Sequence, residues 1–327
     1  MGGRPYKHLK KPPVLGLWLL TILYALYSFN LVAAVKPVAI PLNKWSSQRV
    51  ISTAFGQVLE QKGWQVKYQN IDADSQWGAL SRGVVHFQIE VWQPSMAHPY
   101  EKFVKTGHII ELGTHSVTIR EEWWYPKYVE ALCPELPDWR ALNRCWRLFS
   151  DTADSKKGIY YSGPWDYSDG DIIRALDLNF TIERLPDSQA IWAKLAAAFD
   201  KQQPILLLNW SPNWTDRHIK GEFIEFPPYT PECEQEPSWG INKRLAKDCG
   251  NRKGNLLKKA AWSGLERHAK CVMLMLQRLD LNHEMIVEAA SLSVVQNFSD
   301  KDAAQIWRQT FGDAIAPWTS LPCSPDQ

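Results

Sequence analysis

"VAIPLNKWSSQRVISTAFGQVLEQKGWQVKYQNIDADSQWGALSRGVVHFQIEVW", residues 38–92, decides the fold. It opens on a short apolar run, "VAIPL" (38–42), which predicts a strand. "SSQRVISTAFGQVLEQKG" (46–63) starts on serine, a good helix N-cap. It carries Val50, Ile51, Phe55, Val58 and Leu59 at helical spacing and stops at Gly63. "WQVKYQNI" (64–71) alternates as a strand, "SQWGALSRG" (75–83) predicts a short helix closed by Gly83, and "VVHFQIEVW" (84–92) a third strand. Strand, helix, strand, helix, strand in sequence predicts parallel β-α-β units. The fold class is therefore α/β, with a ligand crevice at the carboxyl ends of the strands. Trp45 and Trp92 sit at two such ends.

A second α/β unit is readable downstream. "GIYYS" (158–162) predicts a strand, followed by a Gly-Pro-Trp turn, "DGDIIRALDL" (169–178) and "SQAIWAKLAAAFDK" (188–201) predict helices, and "PILLLNW" (204–210) a strand. Its loops again end in tryptophan, at Trp165 and Trp210. From Lys243 onward the pattern is mainly helical, with "ERHAKCVMLMLQRLDL" and "DAAQIWRQTFGDA" as helices. Two lobes result, each with its own sheet and with tryptophans at facing loop ends. The device repeats: "FQIEVWQPS" (87–95) and "LLLNWSPNW" (206–214) both end an apolar run in Trp-x-Pro. Pro94 and Pro212 each restrict the preceding residue to extended conformations.

Composition narrows the function. The 327 residues, 45% hydrophobic and 22% charged, suffice for a sizeable core. With 37 basic against 35 acidic residues there is no electrostatic footprint for nucleic acid. Tryptophan is the outlier, 17 residues against 11 Phe and 11 Tyr, so something uses indole rings. At the N-terminus, Lys7, Lys10 and Lys11 precede an apolar stretch (14–29), and Val32 and Ala34 suit a cleavage site. This predicts a secretory signal peptide over 1–34. The alternative is an uncleaved anchor, although the apolar core falls short of the ~20 residues a span needs. Six cysteines fit an oxidising exterior. Fifteen pairings are formally possible; short loops favour Cys133 with Cys145 and Cys233 with Cys249, with Cys271 and Cys323 left over as a third pair. Zinc is not indicated, because no Cys-x-x-Cys or His-x-x-x-His pair occurs.

Taken in order, "NKW" (43–45), "SQWGALSRGVVHFQIEVWQP" (75–94), "EEWWYPKYV" (121–129), "GPWDYSDGDIIRAL" (163–176), "PILLLNWSPNW" (204–214), "KDCG" (247–250) and "KKAAWSGL" (258–265) resemble a known family. These are the substrate-binding proteins of ABC importers for glycine betaine, proline betaine, choline and related methylated amines. The resemblance covers residues 36–320, and its specific part is the pair of Trp-x-Pro motifs around an aromatic-rich middle. It implies a type II periplasmic-binding fold, two lobes joined by two crossing strands. The lobes would span 35–120 and 121–225, with 226–327 returning to the first lobe and its C-terminal helices. It also implies an extracytoplasmic monomer without cofactor or enzymatic activity, whose partners are a small methylated amine and a membrane permease. By resemblance, Trp92, Trp165 and Trp210 occupy a three-sided box of betaine binders. Trp45, Trp92, Trp210 and an aromatic near Trp123 or Trp124 occupy the box of choline binders.

The chemistry explains such a cage. A trimethylammonium head has no N–H to donate, so ring faces must hold it. Each cation–π contact is worth up to about 2 kcal/mol when desolvated, and three or four rings supply roughly 6–8 kcal/mol gross. Micromolar affinity needs about 8 kcal/mol net. The chain departs from the family where betaine binders place a His after the first cage Trp, because Met96 stands there and His98 falls two residues late. Asp166, Asp169 and Asp171 follow Trp165, and Glu90, Glu121 and Glu122 are further acids near the cage. These acids, with Glu122 as the candidate ligand contact, lean toward choline or an amine oxide such as trimethylamine N-oxide rather than a carboxylate ligand. Two alternatives stay open: a sensor's binding module, and a glycan hydrolase using a pair such as Glu90 and Glu122. No G-x-S-x-G, H-E-x-x-H or Gly-rich phosphate loop supports other chemistry.

Overall fold

The computed structural model describes residues 2–3, 36–93, 95–165 and 167–325. The expected signal segment with Val32 and Ala34, and also Pro94 and Asp166, lie outside the described residues. The strands are β1 (Val38–Leu42), β2 (Val66–Asn70), β3 (Phe87–Val91), β4 (Ile109–Pro126), β5 (Gly158–Ser162), β6 (Phe180–Arg184), β7 (Leu207–Ser211), β8 (Gly221–Phe223) and β9 (Asn255–Trp262).

β1 and β2 pair in parallel, Val38 opposite Val66 through Leu42 opposite Asn70, with the helix Ser46–Gln61 as their crossover. That helix forms because its apolar residues recur on one face. It buries Val50, Ile51, Phe55, Val58 and Leu59 against the C-terminal helices, and Phe55 stacks on Trp318 at 5.1 Å between ring centroids. Arg49 pairs with Asp300 at 2.7 Å along the same contact. The larger sheet runs β3-β9-β4-β7-β5-β6, with β8 on β4. β5 is parallel to β6 and β7, while β3 and β4 are antiparallel to β9.

β4 joins the two halves. Its residues Ile109–Ile119 pair with β9, Arg120–Trp124 pair with β7, and Trp124–Pro126 pair with β8. The chain returns over residues 224–254. Burial along β4 records the passage: the first half alternates between buried and exposed, whereas Glu121–Pro126 are buried throughout. A strand covered on one face by water must alternate, and one covered on both faces need not.

Sequence pattern missed several elements: β4 and β6, the helices Ala97–Lys105 and His283–Val294, and β9, which interrupts the stretch read as mainly helical. β9 is held by β3 and β4 on either side, a long-range pairing that overrides its weak local signal. Cys133–Cys145, Cys233–Cys249 and Cys271–Cys323 are disulfides with Cα separations of 6.0, 6.3 and 5.2 Å. Among the described residues no helix is long and apolar enough to cross a membrane.

Candidate functional site

Four strand ends converge on one pocket. Trp45 follows β1 and caps the helix Ser46–Gln61, Trp92 follows β3, Trp165 follows β5, and Trp210 lies near the end of β7. These four rings, with Ser95, Met96, Glu121 and Tyr167, line a cavity with about 260 Å³ of empty space. Neighbouring rings stand nearly upright to one another. Trp45 meets Trp165 at 6.4 Å and 74°, Trp165 meets Trp210 at 5.6 Å and 83°, and Trp210 meets Trp92 at 6.5 Å and 68°. Each of these pairs is an edge-to-face contact, and all four rings border the same pocket. Trp45 and Trp92 come from the half built on β1 and β3, Trp165 and Trp210 from the half built on β5 and β7. The halves are shut over the pocket: the four rings are at most 7% exposed, and Ser188 N donates to Lys44 O across the cleft at 3.2 Å.

Local packing fixes the rings. A Cβ on Gly163 would lie 2.0 Å from the Trp165 ring, so any side chain here would displace the indole. Arg184 donates to the Trp165 carbonyl at 2.9 Å. Behind Trp210, Trp192 packs at 5.1 Å and Trp214 lies 5.5 Å beyond Trp192, so indoles buttress an indole. On the other half, Glu90 Oε2 accepts the Nε1–H of Trp45 at 2.8 Å and of Trp92 at 2.9 Å.

The polar side of the pocket is acidic. Glu121 is buried and accepts from Tyr167 Oη at 2.7 Å and from Ser95 Oγ at 2.7 Å. Burial pushes its carboxyl above the usual range, against those hydroxyl donors. No Arg, Lys or His stands among the described residues lining the cavity.

The other expected contacts lie elsewhere. Trp123 is buried, stacked on Tyr160 at 3.9 Å, donates Nε1–H to Asp169 at 2.8 Å and borders a separate cleft. Trp124 packs over Gly221, where a Cβ would fall 1.8 Å from its ring. Glu122 accepts from the backbone N–H of Asn251 at 2.9 Å and faces a separate cleft with Asp169, Tyr229 and Glu234. Register explains the choice between the two neighbouring acids. Glu121 stands opposite Trp210 and so shares its face, whereas Glu122 stands opposite Asn209 on the other face. Glu90 and Glu122 therefore share no cleft, and the acid–base pair considered for a hydrolase is not assembled. Ser95, Met96 and Tyr167 were not singled out as contacts. Met96 stood where the resemblance places a His, and Tyr167 lies two residues beyond Trp165 in the same loop; both were usable signals.

Comparison with known proteins agrees with this geometry. The profile of the family described as the substrate binding domain of ABC-type glycine betaine transport system matches residues 36–310. The chain is 31% identical over 300 residues to the trimethylamine N-oxide-binding protein of Pelagibacter ubique (strain HTCC1062), covering 89% of this chain and 92% of that protein. Among solved structures it is similar to an ABC-transporter choline binding protein in complex with choline, with a TM-score of 0.67 at 15% identity, over 88% of this chain and 93% of that one. It is also similar to lactococcal OpuAC in its closed-liganded conformation with glycine betaine, with a TM-score of 0.62 at 14% identity, over 87% and 99%. These likenesses establish the two-lobed type II periplasmic-binding fold. With four indoles meeting in one pocket between the halves of that fold and the family profile spanning nearly all of the described residues, the chain belongs to the family of substrate-binding domains of ABC-type glycine betaine transport systems.

Proposed function

We propose that this protein captures a trimethylammonium compound that carries no carboxylate, trimethylamine N-oxide or choline, and delivers it outside the cytoplasm to a membrane permease. It acts as a monomer, and nothing in its charge suits nucleic acid. One observation carries the choice of ligand: the buried wall of the cage is Glu121, with Tyr167 and Ser95 hydroxyls and no basic side chain among its described lining residues. A carboxylate ligand would meet a carboxylate in a site drained of water, where like charges repel strongly. Choline brings a cation and a hydroxyl that can donate to Glu121. An amine oxide brings an acceptor oxygen, for which Tyr167, Ser95 or a protonated Glu121 supplies the donor. The trimethylamine N-oxide-binding relative supports the same reading.

Glu121→Gln tests it, because the amide keeps the shape and supplies an N–H donor while removing the charge. Choline affinity is expected to fall by at least about tenfold and glycine betaine affinity to rise, with trimethylamine N-oxide little changed. Equal effects on choline and glycine betaine in calorimetry would reject the charge-based choice.

A further inference from the structure

Glu90 touches no part of the cavity surface, yet it is the polar residue on which half of the cage depends. It is fully buried at the end of β3. One oxygen, Oε2, accepts three hydrogen bonds: Nε1–H of Trp45 at 2.8 Å, Nε1–H of Trp92 at 2.9 Å, and Oγ–H of Ser47 at 3.0 Å. Among the described residues Oε1 has no hydrogen-bond partner, and no basic side chain pairs with this carboxylate. Two indoles from two separate loops are thus pinned by a single atom, each with one in-plane direction fixed. Ser47, in the first turn of the helix Ser46–Gln61, adds a donor at the helix end that favours negative charge.

We propose that Glu90 is the positioning and specificity-determining residue of the cage, setting the planes of Trp45 and Trp92 and placing a negative charge behind them, so that the cage selects a cation over an uncharged body of the same shape. The inference rests on the cage reading. Its physics is that an in-plane N–H donated to an anion pushes electron density into the ring, making the ring faces more attractive to a cation. In a buried site that polarisation and the direct charge are only weakly screened. Burial holds the Glu90 carboxyl up to about 7, against the three donors that pull it down. The other acid at the cage is Glu121, so the two must be separated by substitution.

The probe ligands are choline and its uncharged carbon analogue 3,3-dimethylbutan-1-ol, titrated into the full chain at pH 8. Glu90→Gln retains an acceptor oxygen and loses the charge. Its choline affinity is expected to fall by at least about tenfold, with the alcohol changed less than about twofold. Equal losses for both ligands would show a merely structural role, and unchanged choline affinity would show none; either overturns the proposal. A second measurement on the wild type guards against a variant that fails to fold. The indole ¹H–¹⁵N resonances of Trp45 and Trp92, assigned through Trp45→Phe and Trp92→Phe, should move together with one midpoint between pH 5 and 9, and do so in Glu121→Gln as well. Resonances that stay fixed, or that stop moving in Glu121→Gln, contradict it. A wild type that binds choline no better than the alcohol overturns the cage reading and this inference with it, an outcome distinct from those seen with Glu90→Gln.

Discussion

Trp165 and Glu122 mark what a single residue can and cannot reveal. Trp165 follows a strand in a Gly-Pro-Trp turn, and the turn chemistry brings it to the pocket. Glu122 is next to a pocket residue, yet the pleat sends it to the opposite face, where burial pushes its carboxyl up to about 7 and the nearby Asp169 charge adds to the effect. The sign of its contribution follows. The folded protein holds this proton at a pH where the unfolded chain, with an ordinary carboxyl, has released it. Stability from this group is therefore complete below the ordinary carboxylate range and is lost as pH rises through about 7. Glu122→Gln has no proton to lose. Thermal unfolding at pH 4.5 and pH 8 should show the variant gaining on the wild type at the higher pH. A gap that is constant or widens against the variant would mean the carboxylate is stabilised in place. His86 and His115, held low by burial, are present in both proteins and cancel in the comparison.

At the scale of elements, β1, β2, β3 and their two helices were legible because local signals agree, an amphipathic repeat and a glycine stop; the expected serine cap does not form, since the N-cap is Trp45 and no side chain caps that helix. β4 was not legible, for physical reasons. It pairs with β9, then β7, then β8, and its register with β9 shifts between Glu111 and Thr114 and again before Thr118. No single alternation survives such a path, and Gly113 within it reads as a loop. The same strand decides which of Glu121 and Glu122 faces the pocket, so that part of the candidate site was hidden with it. The four pocket tryptophans stand at or just beyond strand ends, which pattern can read, whereas Trp123 and Trp124 sit further inside a long strand, among core partners. The β5 loop gives a test of element geometry. Gly163→Ala must push the Trp165 ring aside, and overpacking of this kind is worth about 1–3 kcal/mol. Ligand binding is expected to weaken by a comparable amount while the circular dichroism stays that of the wild type. Undiminished affinity would show that the ring does not need its present plane.

For the whole molecule, the cage exists only when both halves meet, since Trp45 and Trp92 belong to one and Trp165 and Trp210 to the other. A ligand that touches all four rings binds the shut form in preference to an open one and shifts the population toward it. Scattering should therefore give a smaller radius of gyration with saturating ligand, accompanied by a change in tryptophan fluorescence; identical curves with every candidate amine would mean that binding and closure are not linked. The central claim is that four indoles hold a methylated ammonium group, and calorimetric titration tests it most directly. Trimethylamine N-oxide, choline, glycine betaine and 3,3-dimethylbutan-1-ol are titrated into the wild type, Trp92→Ala and Trp210→Ala. The methylated amines should bind the wild type, those without a carboxylate more tightly than glycine betaine, and 3,3-dimethylbutan-1-ol weakly or not at all. Each alanine should remove more than about 1.5 kcal/mol of that affinity. Wild-type affinity in either alanine variant, or an uncharged alcohol that binds as well as choline, would contradict the cage.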